Sequence, residues 1–308
     1  MKEKLRVFEA FSGYGSQSIA LRNIGIPYEV VAISEIDKYA IKAYEAIHGK
    51  INNLGDISKI KIEDIPEHDL FTYSFPCQSI SVAGNMEGIV RGQTRSGLLY
   101  ECEKIIEHCR PKYLLMENVK NLVGKKFKPQ FEEWLQYLES LGYKNYWKVL
   151  NSKDYGIPQN RERVFVVSIL GEHKSYEFPK GIDSSRTVFD ILESNVLSKY
   201  NMSEKCIAKM KRFQPKDLTR GCLLKPIAPT LTTELAHHTG KNFYPKMCMI
   251  INNYRRITPK EAFRLMGMCD EDIDKIQRTG ISDTQQYKMA GNSIVVNVLE
   301  EIFKNLFI

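Results

Sequence analysis

Residues 5–15 read LRVFEAFSGYG, a short, mainly apolar run that ends in two glycines separated by one residue. Runs of this kind predict a buried strand, and residues 16–24 follow with apolar side chains at helical spacing. Glycines between a strand and a helix permit a tight turn and let a ligand approach the backbone closely. The stretch therefore predicts a strand, a ligand-binding turn and a helix.

The same alternation continues to about residue 190. Further strands are predicted at residues 28–34, 69–75, 113–116 and 163–170, and further helices at residues 37–47, 98–109 and 129–141. Strands that alternate with helices form a mostly parallel sheet that is covered on both faces. The predicted fold class is therefore α/β, with a Rossmann-like domain.

A region of different character follows this domain. Residues 199–246 are polar, basic and irregular, and contain prolines that break any long element. Helical order returns at Thr258-Pro259-Lys260-Glu261, a capping box with Pro at the first helical position. A last helix is predicted from about residue 284 to residue 303. The chain thus combines a Rossmann-like domain, an irregular basic insert and a helical return.

Composition narrows the function classes. The chain has 308 residues and a net charge of +7, which favours a polyanionic partner. No apolar run is long enough to span a bilayer and the N-terminus lacks a signal peptide, so we expect a cytosolic protein. The 7 cysteines include no CxxC pair, which argues against a disulfide framework and a structural zinc site. A reduced, nucleophilic thiol is compatible with this compartment.

Two acidic residues after the glycine turn point to a nucleoside cofactor. Ser18 stands where a dinucleotide-binding fingerprint has its third glycine, which disfavours NAD. Glu35 lies 20 residues beyond Gly15, where an acid can hydrogen-bond ribose hydroxyls. Asp56 follows an Asn-rich turn, and it either binds an adenine amino group or caps a helix.

A cysteine follows the strand predicted at residues 69–75, in the sequence SFPCQ of residues 74–78. Pro76 stiffens the chain beside it, so the thiol of Cys77 can be presented rigidly to a pocket. A buried structural cysteine is the alternative, because Cys is among the most buried residue types.

Three further clusters carry polar groups. Glu117 comes directly after a predicted strand, at the sheet edge where open α/β folds bind ligands. Arg161 and Arg163 share a face of extended chain, either as a solvated charge cluster or as part of a site. Gly291 precedes Asn292-Ser293 within a predicted helix, where Gly costs about 1 kcal/mol relative to Ala, so we expect a packing or ligand reason for it.

Together these blocks resemble the bacterial type of DNA (cytosine-5)-methyltransferase. The blocks occur in the family's order and span nearly the whole chain outside the insert: residues 11–15 (FSGYG), 75–78 (FPCQ), 117–119 (ENV), 159–163 (QNRER), 256–267 and 291–293 (GNS). The resemblance implies a Rossmann-like, S-adenosyl-L-methionine-dependent methyltransferase domain at residues 1–192 and 255–308. A smaller, irregular target-recognition domain would occupy residues 193–254.

The resemblance also implies roles for single residues. Cys77 would add to C6 of cytosine, Glu117 would hold and protonate N3, and Arg163, together with Arg161, would hydrogen-bond the O2 side. The contacts to S-adenosyl-L-methionine would come from Phe11, Ser12, Gly13, Gly15, Glu35, Ile36, Asp56, Ile57, Pro76, Leu98, Asn292 and Ser293. Ile36 stands where some family members have a larger aromatic side chain.

The implied partner is double-stranded DNA. The target base must be extruded, because C5 and C6 are inaccessible to catalytic groups inside the stack. Residues 79–96 would form a mobile loop that closes over DNA. The DNA contacts would come from Gln78, Ser79, Arg91, Arg95, Thr230 and Leu231. The implied enzyme is a monomer that binds no metal ion and no membrane.

Two other functions remain open. A tRNA cytosine-5 methyltransferase of the same fold would carry a Cys-Phe-Thr element, which this sequence lacks. A catalytically silent DNA-binding homologue would have no chemical need for Cys77 or Glu117. The expected enzyme is prokaryotic or phage-encoded, and serves a restriction–modification system or acts as an orphan methylase.

Overall fold

The computed structural model describes residues 4–77, 79–80, 88–182, 184–211, 226–233, 250–251 and 255–308, without the side chains of residues 206, 209–211, 250 and 251. The chain divides into two compact units. The first comprises Met1–Leu150, Glu162–Lys180 and Val298–Ile308, and the second comprises Asn151–Arg161 and Gly181–Asn297. These units are defined by compactness and do not test which residues contact DNA. The expected recognition domain at residues 193–254 stays a prediction.

A six-stranded sheet with the order β2-β1-β3-β4-β7-β5 lies in the first unit. The strands of the described chain are β1 (Leu5–Ala10), β2 (Tyr28–Ser34), β3 (Leu70–Tyr73), β4 (Tyr113–Val119), β5 (Tyr143–Asn151), β6 (Gln159–Asn160), β7 (Glu162–Leu170), β8 (Ala228–Pro229), β9 (Ile250–Ile251) and β10 (Arg255–Arg256). Strands β1 to β4 pair in parallel, and β7 runs antiparallel to β4. The mostly parallel sheet that the sequence predicts is therefore present.

The helices follow the strands in the expected alternation. They are α1 (Ser16–Asn23), α2 (Lys38–His48), α3 (Leu99–Cys109), α4 (Lys128–Ser140), α5 (Glu204–Lys211), α6 (Pro259–Arg264), α7 (Asp270–Arg278), α8 (Asp283–Asn292) and α9 (Val296–Phe307). Side chains of the sheet, α3 and α4 form one hydrophobic core, which includes Phe8, Phe71, Tyr73, Cys102 and Trp134. Burying this apolar surface stabilises the sheet edge from which the candidate site projects.

The predicted capping box is confirmed at the start of α6. The Thr258 side chain accepts a hydrogen bond from the Glu261 backbone N–H, and Pro259 occupies the first turn. The Glu261 carboxylate is fully buried and accepts two hydrogen bonds from the Arg255 guanidinium, at 2.9 and 2.7 Å. This bidentate pair compensates the desolvation of both charges within the second unit.

The single last helix that the sequence predicts is wrong. The segment forms two helices, α8 and α9, and Ser293 between them is extended, with φ −80° and ψ 168°. The carbonyls of Gly291 and Ser293 accept hydrogen bonds from Arg161 instead of from later helical N–H groups. The break therefore has a side-chain cause that helical periodicity does not reveal.

Candidate active site

Cys77 lies on a loop whose backbone is fixed from two neighbouring elements. Its thiol is half-buried and takes part in no disulfide. Asn118 Nδ2 donates to the Phe75 carbonyl at 3.0 Å, and Ser96 Oγ donates to the Pro76 carbonyl at 2.7 Å. Both carbonyls directly before the thiol are thus held by side chains, which limits how far Cys77 can move.

The chain beyond Cys77 is held in the same way. The Ile80 N–H donates to the Cys77 carbonyl at 2.9 Å, and Asn121 Nδ2 donates to the Ile80 carbonyl at 2.6 Å. The Gly88 N–H donates to the Ser79 carbonyl at 2.8 Å. The backbone carbonyls of Cys77, Ser79 and Ile80 are therefore all hydrogen-bonded, and the role of Cys77 as a nucleophile stays a prediction.

An ion pair lies on the strand beside this loop. Arg163 Nε lies 3.2 Å from Glu117 Oε1, with side chains that are 17% and 10% exposed. Strands β3 and β4 are parallel, with Tyr73 beside Met116, so Glu117 and the Cys77 loop leave the same edge of the sheet. A carboxylate and a guanidinium this weakly solvated can grip a polar heterocycle more strongly than they could in water.

The turn after β1 is organised by Glu35. Gly13 has φ +58°, and its N–H donates to Glu35 Oε2 at 2.9 Å. Glu35 Oε1 accepts from the N–H groups of Ile36 and Asp37, both at 2.8 Å. The carboxylate thereby ties the glycine turn to the turn after β2, and one of its roughly four acceptor positions remains for a ligand.

Gly15 could not be replaced without displacing its neighbours. Its φ is +82°, and a Cβ there would lie 2.5 Å from His48 Nε2 and 2.7 Å from Tyr44 Cε2. Phe11 also has a positive φ, +55°, which is uncommon for a residue other than Gly. Three left-handed residues within five positions give the turn a backbone shape that only tight packing maintains.

The residues around this turn fit a nucleoside cofactor. Ser12 Oγ is buried and makes no hydrogen bond within the described part of the chain, so it is available to a ligand. Ile36 is 73% exposed although it is a large apolar residue, and it directly follows Glu35. An apolar surface beside a carboxylate matches an adenine next to a ribose diol.

Asp56 acts as a helix cap, one of the two roles that the sequence leaves open. Asp56 Oδ1 accepts from the Ser58 N–H at 3.0 Å and from Ser58 Oγ at 2.8 Å, and these bonds lower the pKa of the Asp56 carboxyl. Its contact with an adenine stays a prediction. Ile57 is buried next to it, and Leu98 is half-buried at the turn that precedes α3.

Arg161 differs from Arg163 in its surroundings. It belongs to the second unit and is 3% exposed, and its Nη1 donates to the Leu231 carbonyl at 3.0 Å. Its Nη2 donates to the carbonyls of Gly291 and Ser293, at 3.0 and 2.7 Å. The predicted contact of Arg161 with a base stays a prediction, and Asn292 lies between the two carbonyls that it binds.

The predicted DNA contacts occupy varied positions. Arg91 is exposed and donates to Glu103 Oε1 at 2.7 Å, with its guanidinium 4.3 Å from the Tyr100 ring centroid. Arg95 is exposed, Ser79 is buried, and Thr230 Oγ1 donates to the Asn160 carbonyl at 2.7 Å. Gln78, residues 81–87 of the predicted mobile loop and most of the basic insert lie outside the described residues.

Neither a metal cluster nor a membrane helix is found in the described ranges. No three His, Cys, Asp or Glu side chains there are grouped so that they could hold a metal ion. The helices in those ranges are too short or too polar to cross a bilayer. The expected independence from metal stays a prediction.

Sequence reasoning missed the residues that support the site from behind. Asn118 and Ser96 anchor the Cys77 loop, and Gln159 is fully buried with both ends of its amide hydrogen-bonded. Gln159 lies two residues before Arg161, on the same face of extended chain, which is the one signal that could have identified it. Asn118 adjoins Glu117 and carries no comparable signal.

The fold is that of the Rossmann-like, S-adenosyl-L-methionine-dependent methyltransferases. The structure resembles the crystal structure of Schizosaccharomyces pombe Dnmt2 methyltransferase with a TM-score of 0.76 at 22% identity, over 99% of this chain and 100% of that one. The likeness at this identity concerns the fold alone.

The sequence comparisons define the family. Residues 5–307 match the family model described as C-5 cytosine-specific DNA methylase, and the chain belongs to this family. It is 41% identical to the type II methyltransferase M2.ScrFI of Lactococcus lactis subsp. cremoris, over 98% of this chain and 99% of the relative. It is 33% identical to the type II methyltransferase M.NlaX of Neisseria lactamica, over 98% and 96% of the two chains. The family that the sequence motifs predict is therefore confirmed.

Proposed function

We propose that this protein methylates C5 of cytosine within a specific sequence of duplex DNA through a transient bond between Cys77 and C6. The observation that carries the proposal is the anchored thiol of Cys77 at the sheet edge that also presents the Glu117–Arg163 pair, 3.2 Å apart. This arrangement offers a nucleophile, a proton carrier and a fixed positive charge.

The reaction needs covalent help, because C5 of cytosine is a poor nucleophile. The Cys77 thiolate adds to C6, and the electron pair of the C5–C6 double bond makes C5 nucleophilic. Glu117 holds and protonates N3, which draws electron density from the ring during the addition, and it takes this proton back when the carbon–sulfur bond breaks. Arg163 orients Glu117 and stabilises charge that develops on the O2 side. Nη1 and Nη2 of Arg161 donate to backbone carbonyls, and a contact of Arg161 with the O2 side stays a prediction.

S-adenosyl-L-methionine supplies the methyl group as an electrophile when it is bound. The residues that would hold it are those that the family resemblance implies: Phe11, Ser12, Gly13, Gly15, Glu35, Ile36, Asp56, Ile57, Pro76, Leu98, Asn292 and Ser293. Glu35 would accept from the ribose hydroxyls, and Ser12 Oγ would gain the partner that it lacks. After methylation, loss of the C5 proton to water lets the carbon–sulfur bond break and releases Cys77.

The target cytosine must be flipped out of the DNA helix before it can react. Flipping costs a few kcal/mol of stacking and pairing energy, which contacts to the DNA backbone offset. Arg91 and Arg95 would contact phosphates. Gln78, Ser79, Thr230 and Leu231 would also bind DNA, and residues 193–254 would read the sequence. The names of the type II relatives support a partner restriction endonuclease, for which the methyl group marks host DNA.

Methylation can be read directly from the DNA of a host that expresses the chain. We expect bisulfite sequencing to reveal protected cytosines in one short motif with the native protein and none with Cys77→Ala. Cys269→Ser is the matched control, because Cys269 is exposed and plays no part in the mechanism. Full methylation by Cys77→Ala would refute the covalent mechanism, and an unmodified genome with native protein would refute the function.

The covalent step has its own test. A duplex with 5-fluorocytosine at the target position cannot lose its C5 substituent, so it should remain bonded to Cys77 after methyl transfer. We expect a denaturation-resistant adduct that peptide mass spectrometry locates at Cys77 and that Cys77→Ala does not form. An adduct of undiminished yield with Cys77→Ala would contradict the assignment.

A further inference from the structure

Leu231 is held by side chains at both of its backbone polar groups. Its N–H donates to Gln159 Oε1 at 2.9 Å, and its carbonyl accepts from Arg161 Nη1 at 3.0 Å. Gln159 is 0% exposed and Arg161 3%. Buried hydrogen bonds of this kind, one of them charge-assisted, define the position of a segment more tightly than exposed bonds do.

The side chains of Gln159 and Arg161 bind the chain just beyond the point where the pairing of β6 with β8 ends. Strands β6 and β8 pair in parallel through Gln159 and Asn160, opposite Ala228 and Pro229. Beyond β8 the backbone partner is lost, and the side chains of Gln159 and Arg161 take its place at Leu231. The segment 230–233 is therefore held in register with the QNRER block.

The same two side chains reach two further parts of the second unit. Gln159 Nε2 donates to the Leu265 carbonyl at 2.8 Å, next to the end of α6. Arg161 Nη2 donates to the Gly291 and Ser293 carbonyls at 3.0 and 2.7 Å. Gly291 itself leaves no space for a side chain, since a Cβ there would lie 2.6 Å from the backbone of Thr232.

We infer that Gln159 and Arg161 are positioning residues that set the Thr230-Leu231 segment for contact with DNA, and that Arg161 alone also sets the turn around Asn292. This inference rests on the proposed contacts of Thr230 and Leu231 with DNA and of Asn292 and Ser293 with the cofactor. It gives the two residues different signatures. Loss of Gln159 disturbs only the DNA segment, and loss of Arg161 disturbs both ligands.

Separate binding measurements distinguish these signatures. DNA affinity is measured by fluorescence anisotropy with a duplex that carries the motif found by bisulfite sequencing, and cofactor-site affinity by calorimetry with S-adenosyl-L-homocysteine. We expect Gln159→Leu to weaken DNA binding about tenfold or more and to change S-adenosyl-L-homocysteine binding less than about twofold. We expect Arg161→Lys to weaken both, because an ammonium cannot reproduce the planar fork that reaches three carbonyls.

Gln277→Leu, the control for Gln159→Leu, makes the same change at an exposed position of α7 in the second unit, and it should alter neither affinity. If Gln159→Leu lowers the affinities for DNA and for S-adenosyl-L-homocysteine equally, and also lowers the unfolding free energy, Gln159 has only a general structural role. That result would overturn the inference.

Should Gln159→Leu fail to fold, Gln159→Glu replaces it. This variant keeps the acceptor for the Leu231 N–H and loses the donor to Leu265, so we expect near-native DNA affinity. A loss of DNA affinity of about tenfold would then overturn the inference.

The outcome also separates this inference from the proposed function. If the native protein methylates DNA and Gln159→Leu binds DNA with native affinity, the inference is wrong and the proposed function stands. Native protein that neither binds nor methylates duplex DNA sinks the proposed function, and the inference with it.

Discussion

Glu9 carries a carboxyl group at a fully buried position of β1, two residues before the turn that leads into α1. Ser18 Oγ donates to Glu9 Oε1 at 2.8 Å and lies 3.3 Å from Tyr44 Oη. Oε2 of Glu9 has no hydrogen-bond partner among the described residues. Burial raises the pKa of Glu9 to about 7, because water no longer solvates the carboxylate.

The raised pKa predicts that Glu9 destabilises the protein at high pH. Between about pH 4.5 and pH 7 the unfolded chain has lost this proton and the native state keeps it, so the contribution of Glu9 to stability falls as the pH rises. Glu9→Gln is neutral throughout. We expect the unfolding free energy of Glu9→Gln, relative to native protein, to increase from about pH 5 to about pH 8, by at most about 1.4 kcal/mol per pH unit.

Urea unfolding at the two pH values measures this difference. Glu29→Gln is the control, because Glu29 is an exposed acid on the neighbouring strand β2. A difference between Glu9→Gln and native protein that is the same at both pH values would show that the buried carboxyl does not titrate in this range.

Single residues were predictable where their chemistry is exposed in the sequence. Cys77 follows strand β3, as the sequence predicts, whereas Glu117 lies within β4 rather than directly after it, beside Arg163. Arg161 and Arg163 look alike in sequence, yet one is enclosed by backbone carbonyls and the other pairs with a carboxylate. That difference arises from partners that are far away in the sequence, which local spacing does not report.

At the scale of elements, the turn between β1 and α1 requires a residue without a side chain at position 15. Gly15 and Gly25 have similar backbone angles, φ +82° and +73°, but a Cβ at Gly25 would meet nothing within 4 Å. We expect Gly25→Ala to cost about 1 kcal/mol for the left-handed backbone alone. Gly15→Ala should cost about 1–3 kcal/mol more, because Tyr44 and His48 must shift.

Urea unfolding of the two variants compares these costs, and calorimetry with S-adenosyl-L-homocysteine reports the state of the turn. Only Gly15→Ala should lose affinity for this ligand. Similar losses of stability and affinity in both variants would show that packing around Gly15 does not shape the turn.

Elements with a plain periodicity were predicted, and those shaped by their surroundings were not. Strand β5 was missed because it is an edge strand that carries exposed Lys144 and Lys148, so its polarity does not alternate cleanly. The predicted helix from residue 284 to 303 was wrong because Arg161 binds the carbonyls at the break between α8 and α9. Only the second error concerns contacts that are distant in sequence.

At the scale of the whole molecule, the net charge of +7 predicts how binding depends on salt. Lys and Arg that neutralise phosphates release counterions, so DNA affinity should fall more than about tenfold between about 50 and 200 mM salt. S-adenosyl-L-homocysteine has no net charge, and its affinity should change less than about twofold. A DNA affinity that does not respond to salt would contradict an electrostatic contribution from the basic surface.

The order of the blocks along the chain predicted the family and the fold class, because both depend on many local signals that agree. The division into units was less accessible. Each unit is assembled from separate stretches, and the QNRER block crosses from the second to the first between Arg161 and Glu162.

That crossing limits how this enzyme can be re-engineered. A chimera that imports residues 193–254 from a relative would leave behind Gln159 and Arg161, the two clamps on Leu231. An imported segment would keep its register only if its backbone met those side chains in the same way. Grafts meant to change sequence preference should therefore carry residues 151–161 and 291–293 along with the insert, as one cassette in three pieces.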